Sequence, residues 1–342
     1  MRRIKVGVNG YGTIGKRVAD AILRQPDMEL VGIVKTRPDY VAYHAVKRGI
    51  RLYTLSGTVK AFEDKGLPVE GTLEDLLGKV DVIVDATPGG TGRKYKDLYK
   101  KYGVKAVFQG GEKADVAEAS FSTLCNYNEV LGKNSLRVVS CNTTGLLRGI
   151  CSIMKHLGIK KVHAVIIRRG ADPKETKRGP INAIVPDPTS IPSHHALDVK
   201  TVLPWLDIMT AAVVVPTTLM HVHVVTLKLA NVTSRDRITE ILLEAPRILL
   251  IDGEKGFRST ADIVEFFRDY GRSRYDIPEL VIWEDSITVN GDEVTWIQAV
   301  HQEAIVIPEN IDAIRALMNS ASLEETLNIT DKSLGILKGR LT

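Results

Sequence analysis

Apolar residues occur in short unbroken runs, separated by stretches in which they recur every three or four positions. "IKVGVN" (4–9) is such a run, "TIGKRVADAILRQ" (13–25) keeps its apolar side chains on one helical stripe, and "ELVGIVKT" (29–36) is the next run. A strand buried on both faces reads as a continuous apolar run, so this opening predicts a βαβ unit. The rhythm continues through "VDVIVDATP" (80–88), a helical "GRKYKDLYKKYG" (92–103), "VKAVFQGG" (104–111) and "LRVVSCN" (136–142). Strands that alternate with helices imply a parallel sheet with right-handed crossovers, covered on both faces.

Past residue 158 the pattern changes to longer strands: "KKVHAVIIRRG" (160–170), "MHVHVVTLKLA" (220–230), "ELVIWEDSITV" (279–289) and "DEVTWIQAVHQ" (292–302). Asn290-Gly291 between the last two is a type I′ hairpin signal, which favours antiparallel pairing. The end returns to helix, with Pro308 in a first turn and Ser322-x-x-Glu325 as a capping box. The expectation is an α/β protein: an N-terminal Rossmann dinucleotide-binding domain over 1–140, an α+β catalytic and tetramerisation domain with a largely antiparallel sheet over 141–302, and C-terminal helices over 303–342 that return to the first domain. Between Gly170 and Val199 lies a long irregular stretch with many prolines and the apolar segment "INAIVPDP". Loops of that length inside a compact domain are usually functional, so an ordered interface or binding loop is expected over a flexible insertion.

Composition narrows the class. At 342 residues, 44% hydrophobic and 25% charged, the chain has room for two domains with sizeable cores. No apolar run approaches the roughly 20 residues that span a bilayer, and "MRRIKVGVNG" has a strand where a signal peptide needs an apolar stretch, so a cytoplasmic protein without a membrane partner is expected. The net charge of +5 is spread among interleaved acidic and basic residues with no basic tail. That points to anionic small ligands rather than nucleic acid. No metal site is assigned, and three cysteines are too few for a disulfide framework.

Gly10-Tyr-Gly12-Thr-Ile-Gly15 follows a strand and opens a helix, which gives an otherwise common glycine pattern its meaning. Gly10 permits the tight turn, Gly12 lets a pyrophosphate approach the backbone and Gly15 allows close helix packing, while the amides at Thr13 and Ile14 attract negative charge. At the end of the second strand, where an NAD enzyme offers a carboxylate to the ribose 2′-hydroxyl, the sequence has Lys35-Thr36-Arg37. A cation and a hydroxyl suit a 2′-phosphate, so NADP is expected as the preferred cofactor and NAD as the second, unless Lys35 and Arg37 are only solvated charges and Asp39 turns back to the ribose.

Cys141 stands between the last run of this domain and a helical pattern in which Leu146, Leu147, Ile150, Met154 and Leu157 share a stripe ending at Gly158. A thiol at a helix N-terminus is stabilised as the thiolate, and the polar Ser-Cys-Asn-Thr-Thr run is not a core sequence. Beside a nicotinamide, such a thiolate suggests aldehyde oxidation through a hemithioacetal and a thioester, which needs a base. Candidates are His221 and His223, two apart on one strand face, and His194 and His195 in "PSHHA". Cys151 reads as a core residue. Cys125 precedes the last strand of the first domain and Cys151 lies in the helix after it, so the strand-helix fold could bring the two within bridging distance, which leaves a disulfide or two reduced core thiols as alternatives.

"NGYGTIG", "SCNTTGLLR", "IIRRGAD", "GPINAIVPDP", "PSHHA", "TTLMHVHVV", "AVHQEAIVIPENIDAIRA" and "SLGILKG" together resemble the archaeal branch of the phosphorylating glyceraldehyde-3-phosphate dehydrogenase family, nearly end to end. The resemblance implies a cytoplasmic homotetramer, and the few glutamines and many charged residues are compatible with a thermophilic source. Its implied activity is the reversible conversion of glyceraldehyde 3-phosphate, inorganic phosphate and NAD(P)+ to 1,3-bisphosphoglycerate in glycolysis or gluconeogenesis. It implies Cys141 as nucleophile and His221 as base, Ser140, Asn142, Thr143, Arg168, His194 and His195 at the substrate, and Thr13, Ile14, Gly111, Arg169 and Gln302 at the cofactor. It also makes the 170–199 loop the family's loop between subunits. The better-known bacterial and eukaryotic branch reads Ser-Cys-Thr-Thr-Asn and carries its histidine on the first strand after the nucleophile helix. Here that strand ends in Arg168-Arg169, adjacent residues that face opposite ways and divide phosphate and cofactor between them in an order the sequence leaves open. A thiol-dependent semialdehyde dehydrogenase of the aspartate-semialdehyde type, a non-catalytic NADP-binding regulator and an RNA-binding protein are the competing readings.

Overall fold

The computed structural model describes residues 2–109 and 111–341, which divide into two compact units, one from residues up to Val139 with Ile307–Leu334, the other from Ser140–Val306 and the residues from Gly335 on. In the first, β1 (Ile4–Asn9), β2 (Met28–Val34), β3 (Leu52–Thr54), β4 (Gly71–Thr72), β5 (Val82–Asp85), β6 (Lys105–Gln109), β7 (Ala119–Phe121) and β8 (Ser135–Val138) form one sheet in the order β4-β3-β2-β1-β5-β6-β8-β7. Neighbouring strands are parallel, as the alternating pattern requires. Gly110, inside the run expected over 104–111, lies outside the described residues. The strand order reverses between β1 and β5, the place where ligands of open α/β sheets bind.

The C-terminal segment completes this unit. The helix Ile307–Met318 is buried almost all round and packs on β6, β8 and the helix Thr13–Arg24. Three of its buried charged groups are paired: Arg315 makes a two-pronged bond to Asp27, with Nε–Oδ2 2.8 Å and Nη2–Oδ1 2.7 Å, while Glu309 and Asp312 accept from Thr123. Pro308 lies in the first turn, and Ser322 and Glu325 form the expected capping box of the helix Leu323–Leu334.

The second unit holds β9 (Ile159–Arg169), β10 (Val185–Pro186), β11 (Ile208–Val215), β12 (His221–Leu229), β13 (Ile248–Ile251), β14 (Leu280–Trp283), β15 (Thr288–Asn290), β16 (Glu293–Val300) and β17 (Gly339–Arg340). They form one sheet in the order β10-β11-β9-β12-β16-β14-β13-β17, with β15 on β16. The sheet is mixed. Strands β9, β12, β16 and β14 pair antiparallel, but β11 runs parallel to β9, and β13 parallel to both β14 and β17. Parallel neighbours need a crossover, and the 170–199 stretch followed by the helix His194–Lys200 supplies it between β9 and β11.

Two local readings also change. The run expected over 279–289 is broken by the turn Glu284–Ser286, where three polar residues interrupt the apolar pattern. In the hairpin Asn290 pairs with Glu293, so the two loop residues are Gly291 and Asp292, with φ +62° at Gly291. That is the type II′ arrangement, glycine first, rather than type I′. The helix Cys141–Met154 lies on the buried face of the sheet. Its glycines allow the approach: a Cβ on Gly145 would meet Val300 Cγ2 at 2.5 Å and one on Gly149 would meet Trp296 Cζ2 at 3.1 Å.

Candidate active site

The glycine turn of the first unit fits a dinucleotide. Gly10 has φ +94°, and a Cβ there would sit 2.7 Å from Ala86 O, while one on Gly15 would fall 1.8 Å from Gly10 O. These two serve the turn and the packing of the helix Thr13–Arg24. Gly12 has nothing within 4 Å of the Cβ position and, as N-cap, offers no side chain to the first-turn amides of Thr13 and Ile14. Bare amides and open space at a helix N-terminus suit a pyrophosphate. Gly111 also has positive φ, +80°. Lys35 Nζ is 2.8 Å from Asp39 Oδ2, and Asp39 Oδ1 accepts from the amides of Val41 and Ala42 as the N-cap of the next helix. Burial opposes ionisation of Asp39, but Lys35 and the two amides outweigh it and hold the carboxyl below its ordinary value. Asp39 is thereby committed, while Thr36 and Arg37 are exposed.

In the second unit Ser140 caps the helix Cys141–Met154, its Oγ accepting from Thr143 N and lying 2.9 Å from Thr143 Oγ1. Thr143 Oγ1 in turn donates to Asp198 Oδ2 at 2.6 Å. The cap fixes the first turn, and with it Cys141, whose Sγ is 3.5 Å from His221 Nε2. His221 is the first residue of β12, and its Nδ1 accepts from Arg169 N–H at 3.1 Å. An amide only donates, so Nδ1 carries a lone pair and neutral His221 presents Nε2–H to the sulfur. Burial, then Arg169, His223 and Arg168, push the His221 pKa well down, so the neutral form persists. Burial likewise pushes the Cys141 thiol up, against the pull of Arg169, Arg168 and the Asn142 amide. Desolvation of the sulfur thus opposes the lowering expected from the helix terminus.

Residues 140–285 match the family described as "Glyceraldehyde 3-phosphate dehydrogenase, C-terminal domain", and residues 4–122 the one described as "Dihydrodipicolinate reductase, N-terminus". Glyceraldehyde-3-phosphate dehydrogenase of Hyperthermus butylicus is 66% identical over 342 residues, covering 100% of both chains. The chain belongs to the glyceraldehyde-3-phosphate dehydrogenase family. Relatives of the same name from Aeropyrum pernix and Sulfurisphaera tokodaii are 59% and 56% identical, over 99% and 100% of each chain. Both domain matches indicate that this family member binds a nicotinamide cofactor.

Of the residues singled out from the sequence, Ser140, Asn142, Thr143, Arg169 and His221 lie in the structure next to the thiol or bonded to its neighbours. Arg168 pairs with Asp187 and Arg169 with Asp172 at 2.7 Å, both carboxylates lying in the 170–199 stretch. Neither aspartate carried a local signal, because each meets its arginine through the loop's path. The rings of His194 and His195 lie 4.0 Å apart between centroids, tilted by 40°. His195 is 1% exposed, neither of its ring nitrogens has a hydrogen-bond partner among the described residues, and burial with His194 and Arg168 lowers its pKa to about 2. Gln302 donates to Thr218 O at 3.3 Å and leaves Oε1 without a partner. His223, the base candidate beside His221, faces Asn142 instead of the sulfur, with Nε2 2.9 Å from Asn142 Oδ1. No grouping of His, Cys, Asp or Glu suited to a metal ion occurs among the described residues, and none of their helices is long and apolar enough to cross a membrane.

Proposed function

We propose that the chain oxidises D-glyceraldehyde 3-phosphate to 1,3-bisphosphoglycerate, reversibly and with inorganic phosphate, through a thioester on Cys141. The observation that carries this reading is the Cys141 thiol at a capped helix start, 3.5 Å from His221 Nε2, in a member of this family. The thiolate adds to C1 of the aldehyde, forming the C–S bond and moving the carbonyl pair onto oxygen. That oxyanion collapses as hydride leaves C1, and a thioester results. When bound, the nicotinamide nucleotide supplies the hydride acceptor. Phosphate oxygen then attacks the thioester, the C–S bond breaks, and the thiolate is restored. The proton released overall is that of the attacking hydrogen phosphate, since the thiolate is restored.

His221 acts here by donating Nε2–H to the thiolate and then to the C1 oxygen. The Arg169 amide, which occupies Nδ1, favours this role over the general-base role expected from the sequence. Arg168, His194, His195, Ser140, Asn142 and Thr143 serve the substrate and phosphate, with Arg168 released from Asp187 as the anion enters. The turn Gly10 to Gly15 and Gly111 hold the nucleotide, joined on the family pattern by Arg169 and Gln302. NADP is preferred over NAD because Lys35 and Thr36 face a 2′-phosphate while Asp39, tied to Lys35 and its cap, does not serve the ribose. The residues up to Val139 with the helices of Ile307–Leu334 are the nucleotide domain, and Ser140–Val306 with the residues from Gly335 on the catalytic and tetramerisation domain, of a cytoplasmic homotetramer. Ile181, Ile184 and Ile191, at 91%, 67% and 61% exposure on the 170–199 loop, support a subunit-facing surface. The test is reduction of NADP+ or NAD+ with glyceraldehyde 3-phosphate, with and without inorganic phosphate. Oxidation that continues unchanged without phosphate or arsenate overturns the phosphorylating reaction.

A further inference from the structure

A chain of hydrogen bonds behind the thiol runs in one direction, and its first link leaves no freedom. Trp296 Nε1–H, which only donates, reaches Gln298 Oε1 at 2.8 Å. Gln298 Nε2 must then be its donor end, and one of its hydrogens goes to Gly145 O at 3.2 Å, a group that only accepts. The two neighbours fix the Gln298 amide independently. Its other hydrogen faces His223 Nδ1 at 3.1 Å, so that nitrogen carries a lone pair and the proton of neutral His223 sits on Nε2. Nε2 is 2.9 Å from Asn142 Oδ1, which therefore accepts.

Each link is secured by the sheet. His223 and Gln298 are direct partners in the register of β12 on β16, and His223, Trp296 and Gln298 are all 0% exposed. Burial alone lowers the His223 pKa to about 3, so no proton enters the relay near neutral pH. The relay ends at Asn142, 2% exposed and next in sequence to Cys141, with Oδ1 committed and no hydrogen bond from its Nδ2 to any described residue.

We propose that Trp296, Gln298 and His223 are positioning residues that lock the Asn142 side chain with its NH2 group toward the reacting carbon, where Nδ2–H donates to the C1 oxyanion. This rests on the thioester reading above and adds to it a second donor opposite in origin to His221 Nε2–H. Asn142 touches the reacting atoms; the other three act through it. A donor aimed at developing charge acts on the transition state, so its loss lowers kcat and leaves KM and nucleotide affinity in place.

Gln298→Glu tests the direction with almost no change of volume. One carboxylate oxygen still accepts from Trp296, but the other demands N–H at His223 Nδ1, which reverses the tautomer and turns Asn142 so that its oxygen faces the reaction. The expected result is a fall in kcat of about 100-fold or more, with KM and the Kd of NADP within a few-fold. His223→Leu should fall similarly, while His223→Gln, which accepts and donates in the same order, should recover most of the loss. A Gln298→Glu enzyme within about threefold of wild-type kcat overturns the proposal. Should the variants fold poorly, 15N spectra of histidine-labelled wild-type protein decide: a protonated Nε2 and unprotonated Nδ1 on His223 support it, and the reverse tautomer overturns it. Failure of the thioester reading is separate, since it would show as wild-type enzyme without aldehyde oxidation or without Cys141 acylation.

Discussion

Cys141 is a weak acid held ready by its neighbours, since burial raises its pKa and Arg169 and Arg168 oppose the rise. Alkylation of the free enzyme by iodoacetamide should therefore climb with pH past the midpoint of an ordinary thiol, and Arg169→Gln should move the midpoint higher still. A midpoint below 7 in the free enzyme would contradict this electrostatic account. Cys141→Ser should lower oxidation more than about 100-fold at unchanged NADP affinity, because a serine alkoxide is scarce near neutral pH. At the nucleotide turn, Lys35→Asp should shift the ratio of NADP to NAD efficiencies toward NAD, since a carboxylate repels the 2′-phosphate. An unchanged ratio, read as kcat/KM for each, would place discrimination elsewhere.

Among elements, the glycines of the first turn separate binding from folding. Gly12→Ala meets open space and has φ −90°, so thermal stability should stay near wild type while NADP affinity drops more than about tenfold. Gly15→Ala meets Gly10 O and should lose stability outright, so equal melting temperatures for the two would refute the assignment. How much was legible follows from range. The strand-turn-helix at Gly10 and the helix start at Cys141 are local patterns, and His221 and His223 on one face follow from a period of two. The division of labour between those histidines was not legible. It depends on β12 lying beside β16, which puts Gln298 opposite His223, and on β9 ending so that the Arg169 amide meets His221. Likewise the parallel direction of β11 was not legible, because the crossover role of the 170–199 stretch before it appears only once β9 and β11 pair.

For the whole molecule, acid response follows from histidines kept neutral. His195 and His223 titrate near 2 and 3 in the fold against about 6.5 when unfolded, and His221 is also lowered, so the unfolded chain binds more protons below that point. Stability should be level above about pH 7 and fall as pH drops from 6.5 toward 3, and His223→Gln should flatten part of that fall. Urea midpoints measured across this range check both statements. Cys141 is the free cysteine, whereas Cys125 and Cys151 are disulfide-bonded. Thiol titration of denatured, unreduced protein should accordingly find one thiol per chain, and three would contradict the disulfide-bonded state of Cys125 and Cys151.

The helix Ile307–Met318, nearly all of it buried within a unit that otherwise ends at Val139, sets an order of events on the ribosome. When residue 139 has left the exit tunnel, the strands of that unit exist but the helix that packs on β6 and β8, with the Arg315 partner of Asp27, is still to be translated. The first part of the chain to be made is thus among the last to be finished. A nascent chain must keep that apolar face from self-association through the synthesis of the entire second unit, so stalled or truncated products should be recognised by chaperones and proteases as unfinished whatever their length short of the C-terminal helices.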